Sequence, residues 1–295
     1  EDFKGQEWDT QGRMVRYDVQ NPEQQDLRNW MVQNPQRIHL GRVGLVLKKK
    51  NGSIASLGDL QTPEQVLDLW SGISTSTFSV SSEPVTVTTI GHPSKDAIAV
   101  RIKSRKVAEG SIGIFIDFPY ASLHEFGNGA DWEKPDKHQT NETVNGRQAC
   151  FQRTMDDTRY DVRMSWDQQV DFKKIKGHRY ELMPVTKSDE ICFIVCFDKE
   201  KDQSPLPTFA QTEQESIKHW ADYWQSGGAI DLSESKDPRW KELERRIVLS
   251  QYIMAVNEAG SLPPQESGLV NNGWYGKYHH EMIWWHCTHY ALWNR

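Results

Sequence analysis

The chain has 295 residues, with 35 basic and 41 acidic side chains and a net charge of −6. That mild acidity argues against a nucleic-acid binder, which carries a basic patch or stripe. No run of 18 apolar residues is present to form a membrane span, and a charged share of 26 % is ordinary for a globular chain.

Residues 1–36 read as a polar, irregular lead-in anchored by Trp8 and Trp30. Residues 37–50 (RIHLGRVGLVLKKK) have strand character, and Asn51-Gly52 is a hairpin turn signal. IASLGDL runs back from that turn, and VLDLWSGISTSTFSV follows. In PVTVTTIGHP, Val85, Val87 and Thr89 alternate with Thr86 and Thr88. AIAVRIKS and SIGIFIDFPY keep the two-residue period, the pattern of a half-buried antiparallel sheet. Residues 127–147 read as a long exposed loop, functional or mobile. ACFQRTMD, YDVRMSWD, RYELMPV and EICFIVCFD are four more strand candidates. Roughly ten strands at regular spacing before residue 200 predict an antiparallel β-sandwich of two stacked sheets.

The character changes after Pro205 and Pro207. A helix is expected from Thr212 to Ser226, with Thr212 and Glu215 as a capping box and Gly227-Gly228 as its stop. Ile217, Trp220, Ala221 and Trp224 share one face of it. A second helix is expected from Asp237, with Pro238 in its first turn, to about residue 259, before Gly260 and Pro263-Pro264. A third should begin near His280 and run to the chain end. Segregation of strands from helices implies separate domains. The expected plan is a β-sandwich at 1–205, a helical linker at 206–260 and the start of a further helical domain at 261–295. The last helix is still amphipathic at Arg295, so further chain is expected to pack against it.

Four cysteines occur, at 150, 192, 196 and 287. In a strand, Cys192 and Cys196 would share a face about 13 Å apart at ~3.3 Å per residue. That is too far for a disulfide, so buried free thiols are expected. Asn51-Gly-Ser53 and Asn141-Glu-Thr143 are glycosylation sequons. With Glu1 rather than Met first, either a leader has been removed or the sequence simply starts here; a secreted or periplasmic protein is expected.

Seven of the 12 tryptophans follow residue 219, and the densest chemistry lies in 262–295. That stretch holds Gln265, Glu266, Asn271, Asn272, Trp274, Lys277, His279, His280, Glu281, Trp284, His286 and His289. Aromatic faces stack on sugar rings, while amides, imidazoles and carboxylates hydrogen-bond hydroxyls, so a neutral polyol needs this mixture. Gly273 and Gly276 allow a tight loop before the helix. Zinc is the rival, since His286 and His289 share a helix face, but HExxH is absent: His280-Glu281 is followed by Met282, Ile283 and Trp284. No metal or other cofactor is expected. His286 and His289 can equally be satisfied inside a helical core. Glu281 reads as a sugar ligand or as the acid that favours a helix start. Glu266, after two prolines, reads as a solvated loop acid.

ERRIVLSQYIMAVNEAG and GLVNNGWYGKYHHEMIWWH resemble the entry to the catalytic barrel of the six-hairpin glycosidases. That clan has an (α/α)6 barrel and includes maltose and kojibiose phosphorylases, acid trehalases and related glycoside hydrolases. The resemblance implies a β-sandwich in front, two linker helices and then the barrel, the order read here. The clan's early barrel signature is close to F-W-D-T-E, whose Trp and Asp contact the sugar. It falls here on Lys277, Tyr278, His279, His280 and Glu281, with Tyr for Trp and His for Asp. The general acid it implies lies downstream of these residues, so the test of carboxylate separation does not apply within them.

These readings make the chain the front part of a glycoside hydrolase, or of a related phosphorylase. Trp274, Lys277, His279, His280, Glu281 and Trp284 would bind an oligosaccharide or glycan, and the remainder of the barrel would be the partner. The alternatives are a non-catalytic carbohydrate-binding β-sandwich protein and a sandwich module that only positions a partner.

Overall fold

A computed structural model describes residues 4–18, 21–34, 36–199, 202, 204–262, 264–268 and 273–295. Asn271, Asn272 and Pro263, singled out above, lie outside the described residues. The chain forms two compact units interleaved in sequence: Glu1–His39, Ala121–Ala130 and Ile253–Thr288 in one, and Leu40–Tyr120, Asp131–Tyr252 and His289–Arg295 in the other.

The first unit opens with structure where an irregular lead-in was expected. Strands β1 (Gln6–Thr10) and β2 (Arg13–Tyr17) form an antiparallel hairpin. Its turn places Gln11 and Gly12 at φ 54° and 82°, the two left-handed positions that a two-residue hairpin loop requires. Helix α1 (Gln25–Gln33) follows a 3-10 turn that Asn21 caps by accepting from the Glu23 amide at 3.0 Å. The hairpin is mostly exposed, and α1 buries none of its residues although Leu27, Trp30 and Met31 fall at helical spacing.

The second unit is the sandwich. Its strands are β3 (Arg42–Leu47), β4 (Leu60–Asp68), β5 (Ile73–Val80), β6 (Glu83–Gly91), β7 (Ala97–Lys103), β8 (Ile112–Asp117), the short β9 (Tyr120–Ala121) and β10 (Ala130–Asp131), β11 (His138–Asn145), β12 (Gln148–Met155), β13 (Thr158–Trp166), β14 (Val170–Lys176), β15 (Arg179–Pro184) and β16 (Glu190–Asp198). A four-residue helix, α2 (Arg105–Ala108), lies between β7 and β8. The large sheet has eight strands in the order β11-β12-β13-β16-β7-β6-β5-β4, and the small one four, β14-β15-β8-β3. Every ladder in both sheets is antiparallel. Rings fill the space between the sheets: Phe151 of the large sheet meets Phe172 and Tyr180 of the small one at 6.2 and 4.9 Å, and Trp166 meets Phe172 at 6.3 Å. Ile112, Ile114, Ile116, Leu182, Val162 and Met164 are fully buried, each stabilising the fold by roughly 1.5–3 kcal/mol relative to exposure.

Three strands depart from the expected pattern: β4, β11 and β14. Each is an edge strand, polar or charged along most of its length, as edges that must resist pairing with another chain tend to be. Strand β11 occupies much of the expected 127–147 loop, and its buried positions, His138 and Thr140, are polar. The Asn51-Gly52 turn is present, with Gly52 at φ 82° and a Lys48–Ile54 bridge.

Helix α3 (Phe209–Ser226) covers the other face of the large sheet. Phe209 joins a buried cluster with Ile90, Ala97, Ala99, Ile194 and Cys196. The helix starts one turn before the expected point. Its capping box is Thr208 and Gln211, and the Thr212 hydroxyl instead donates to the Thr208 carbonyl at 3.1 Å. Both T-x-x-Q and T-x-x-E fit the rule; burial of Phe209 selects the first. Glu215 pairs with His92 at 3.2 Å. Helix α4 (Trp240–Asn257) begins after a turn in which Asp237 accepts from the Arg239 amide at 2.9 Å, so Pro238 precedes the helix. A polar knot joins α3, α4 and the last residues. The hydroxyls of Tyr223 and Tyr290 donate to the Gln251 carbonyl at 3.0 and 2.7 Å, and the Arg295 guanidinium lies 3.8 Å from the Tyr223 ring centre.

In the first unit, α5 (His280–Cys287) is shorter than expected and gives way to a 3-10 segment, Thr288–Trp293. Trp284 and Trp285 are 72 % and 70 % exposed.

Candidate functional site

The 265–284 segment is held by local hydrogen bonding. Gln265 to Gly268 forms a turn: the Gly268 amide donates to the Gln265 carbonyl at 3.3 Å, and the Gln265 side-chain amide donates back to the Gly268 carbonyl. Gly268 sits at φ 68°, and a Cβ there would lie 2.5 Å from the Asn257 side chain, so glycine is required. An antiparallel bridge pairs Gln265 with Tyr278, which sets Glu266 beside Lys277. Glu266, expected as a solvated loop acid, is half-buried. Its Oε2 is shut off from solvent and has no hydrogen-bond partner among the described residues.

Between these segments, Trp274 and Tyr275 occupy the left-handed region, at φ 52° and 59°. Two bulky residues in succession there cost roughly 1–2 kcal/mol each. The surroundings hold them in place: the Tyr275 amide donates to the Glu125 carbonyl at 3.1 Å, and its carbonyl accepts from the Arg37 amide at 3.3 Å. The strained turn presents Trp274 edge-on to Phe126, ring centres 5.2 Å apart, with the two rings 49 % and 62 % exposed. Phe126 escaped the sequence reading because nothing local marks it.

The remaining candidates have more ordinary tasks. The Lys277 ammonium donates to the Met31 and Asn34 carbonyls at 3.1 and 3.0 Å, a cation on the C-terminal end of α1. His279 is the N-cap of α5, its Nδ1 accepting from the Met282 amide at 3.4 Å. His280 Nδ1 lies 3.1 Å from the Tyr278 hydroxyl. Glu281 is exposed in the first turn of α5, and Trp284 is exposed further along it. The structure thus pairs the 265 segment with Tyr278, beside Lys277 and the start of α5, and sets Trp274 against Phe126, while Glu281 and Trp284 stand on open helix surface. A separate cleft of 1090 Å³ in the same unit, between β1–β2 and α1, is lined by Trp8, Tyr17, Arg28 and neighbours and holds none of the expected site residues.

The sandwich unit holds a second polar cluster. Arg153 is 1 % exposed and fully engaged, donating to His138 Nδ1 at 2.6 Å, to the Gln139 and Pro119 carbonyls at 2.8 and 3.2 Å, and to Thr140 Oγ1. The His138 and His178 rings lie 3.8 Å apart. His178 Nε2 donates to the Pro135 carbonyl at 2.8 Å, so its Nδ1 accepts from the Thr140 hydroxyl at 2.7 Å. Burial, then the Arg153 charge, pushes His138 down to about 4. Burial also lowers His178. The Arg153 guanidinium, His138 Nδ1 and both His178 nitrogens are partnered within this unit, which is the arrangement of a structural network.

None of the four cysteines, all among the described residues, forms a disulfide. Burial pushes Cys192, Cys196 and Cys287 up to about 11, which keeps them as thiols at neutral pH and unfit as nucleophiles. Among the described residues no three His, Cys, Asp or Glu side chains group to hold a metal, and no helix is long and apolar enough to cross a membrane.

No protein-family model matches the chain, and no curated protein matches its sequence. Among solved structures it is similar to a "Putative kojibiose phosphorylase from human microbiome", with TM-score 0.55 and 14 % identity over 79 % of this chain. The chain spans about a third of that structure, 34 % of its length. A bacterial glucoamylase complexed with acarbose matches at TM-score 0.45 and 8 % identity, over 75 % of this chain and 35 % of that one. A family GH92 α-mannosidase from Bacteroides thetaiotaomicron matches at TM-score 0.31 and 9 % identity, over 75 % of this chain and 32 % of that one. The first likeness establishes a shared fold across most of the chain.

Proposed function

We propose that this chain is the leading part of a carbohydrate-active enzyme of the six-hairpin kind, a glycoside hydrolase or related phosphorylase, in which residues 265–289 form one wall of a sugar subsite. In this reading 1–205 is the sandwich domain, 206–260 the linker and 261–295 the start of an (α/α)6 barrel whose remainder supplies the general acid and covers α5. The observation that carries the proposal is the strained turn at Trp274–Tyr275. It holds an exposed indole beside an exposed phenyl ring, next to a segment of imidazoles and carboxylates. Stacking faces with convergent polar groups suit a sugar ring. The fold shared with the microbiome structure supports the reading.

Within the subsite, Trp274 offers the stacking face, and His279, His280 and Glu281 line the start of α5, where hydroxyl groups can be met. Lys277 acts by fixing this segment to α1. Neither role supplies proton transfer, which an inverting mechanism takes from two carboxylic groups across the bond.

The test is turnover by the full-length protein of maltose, kojibiose and trehalose, each with and without inorganic phosphate. Release of glucose without phosphate identifies a hydrolase, and phosphate-dependent release of a sugar phosphate identifies a phosphorylase. Saturable binding of these sugars without turnover would instead support the carbohydrate-binding alternative. Absence of both binding and turnover across a broader panel of glycans would overturn the proposal.

We also propose a secreted or periplasmic location, supported by exposed asparagines at both sequons, Asn51 and Asn141. Recovery of the protein solely from the cytosolic fraction of its source cells would contradict this.

A further inference from the structure

Residues Ala121–Ala130 belong to the same compact unit as Ile253–Thr288. Hydrogen bonds shape this loop from within. The Ser122 amide donates to the Gly129 carbonyl at 3.2 Å, the His124 amide to Ser122 Oγ at 3.3 Å and the Ala130 amide to Asn128 Oδ1 at 3.1 Å. Ser122 and Gly129 are buried, while Phe126 between them is exposed. The loop also braces the strained turn. The Glu125 carbonyl accepts from the Tyr275 amide, so the neighbour of Phe126 is bonded to the neighbour of Trp274. The two rings are thereby held with centres 5.2 Å apart and planes inclined at 67°.

That inclination decides what the pair can hold. A single flat ligand, an aromatic molecule or one pyranose, lies against the face of one ring and meets the other only at its rim. A glycosidic bond lets two pyranoses incline to one another, so that each can meet one of the two aromatic rings. We infer that Phe126 is a specificity-determining residue of the subsite. With one sugar ring stacked on Trp274, the phenyl ring meets the neighbouring sugar across the glycosidic bond and favours a disaccharide over a monosaccharide. The inference rests on the sugar reading above and adds to it a loop about 150 positions away in sequence, whose main chain at Glu125 sets the angle between the rings.

The test uses the full-length protein, with D-glucose, maltose, kojibiose and trehalose as probes, titrated by calorimetry against wild type, Phe126→Ala, Phe126→Tyr and Trp274→Ala. Wild type should bind at least one of the disaccharides more tightly than D-glucose. Phe126→Ala should weaken that disaccharide about tenfold and leave D-glucose within about twofold. Phe126→Tyr keeps the ring and should hold both within about twofold, while Trp274→Ala should lose both. The sugar-free melting temperature of Phe126→Ala should match wild type, because the ring is already exposed. Equal weakening of disaccharide and D-glucose by Phe126→Ala overturns the inference, because the phenyl ring would then act only on Trp274. A disaccharide affinity that Phe126→Ala leaves unchanged, or that never exceeds the affinity for D-glucose in wild type, overturns it as well. Each of these results leaves the sugar reading standing. A marked fall in the sugar-free melting temperature of Phe126→Ala, restored in Phe126→Tyr, would make Phe126 a packing residue and also overturn the inference. Failure of the wild type to bind any of these sugars overturns both.

Discussion

Arg153 and Glu266 are both charged side chains with atoms taken out of water, and the structure treats them in opposite ways. Arg153 sits in the sandwich with its donors matched by two carbonyls, a hydroxyl and an imidazole, over the Phe118 ring at 4.9 Å. Glu266 is half-buried, and its Oε2 has no hydrogen-bond partner among the described residues. The backbone around each follows the same contrast. Arg153 projects from a regular strand in full register, whereas Glu266 lies in a turn closed by Gly268 at φ 68°. A buried polar group that is satisfied internally holds a fold together. A half-exposed ring held in a strained turn, as at Trp274, does not serve the core in that way.

The largest expected effect tests the satisfied side of this contrast. Arg153→Met should cost about 3–5 kcal/mol of unfolding free energy, because it strands two buried carbonyls and an imidazole together. Denaturant titration would measure it, and a loss under about 1 kcal/mol would mean that the network is incidental. Next comes pH. His138 is pushed down to about 4 in the fold, below the ordinary 6.5. The unfolded chain therefore binds the proton more readily between those values, and stability rises with pH across that window. His138 should contribute its full share above pH 6.5 and lose it as pH falls toward 4, a difference of about 3 kcal/mol at most. The facing groups are Arg153 and His178, and both keep His138 neutral. His138→Gln should flatten the stability curve between pH 4 and 6.5; an unchanged slope would assign that dependence elsewhere.

The smallest stability effect belongs to the strained turn. Trp274→Gly removes a side chain that is half exposed and relieves a left-handed φ. Stability should hold or rise by about 1 kcal/mol, while sugar affinity is lost. A destabilisation above 2 kcal/mol with intact binding would make Trp274 a packing residue and reverse the comparison.

Much of the sandwich could be read from sequence because its inner strands carry the two-residue hydrophobic period. The edge strands β4, β11 and β14 could not, since an edge is kept polar and β11 buries His138 and Thr140 where an apolar residue would have signalled a strand. The start of α3 was ambiguous between two capping boxes that only the burial of Phe209 resolves. In the site, residue types were legible and roles were not. Lys277 has its role only because the end of α1 meets it, a contact between residues 246 positions apart that no local pattern announces. His279 is a helix cap, a task that its sequence neighbours do not announce. The Gln265–Tyr278 bridge joins residues 13 positions apart in a segment without periodicity, so no pattern announced it.

The central claim is that residues 265–284 bind a sugar ring, and the most direct measurement is a crystal structure of the full-length protein soaked with D-glucose. The account predicts a pyranose stacked on Trp274 with Phe126 at its side. Glucose seated only in the cleft between β1–β2 and α1, or no sugar at Trp274, would contradict it.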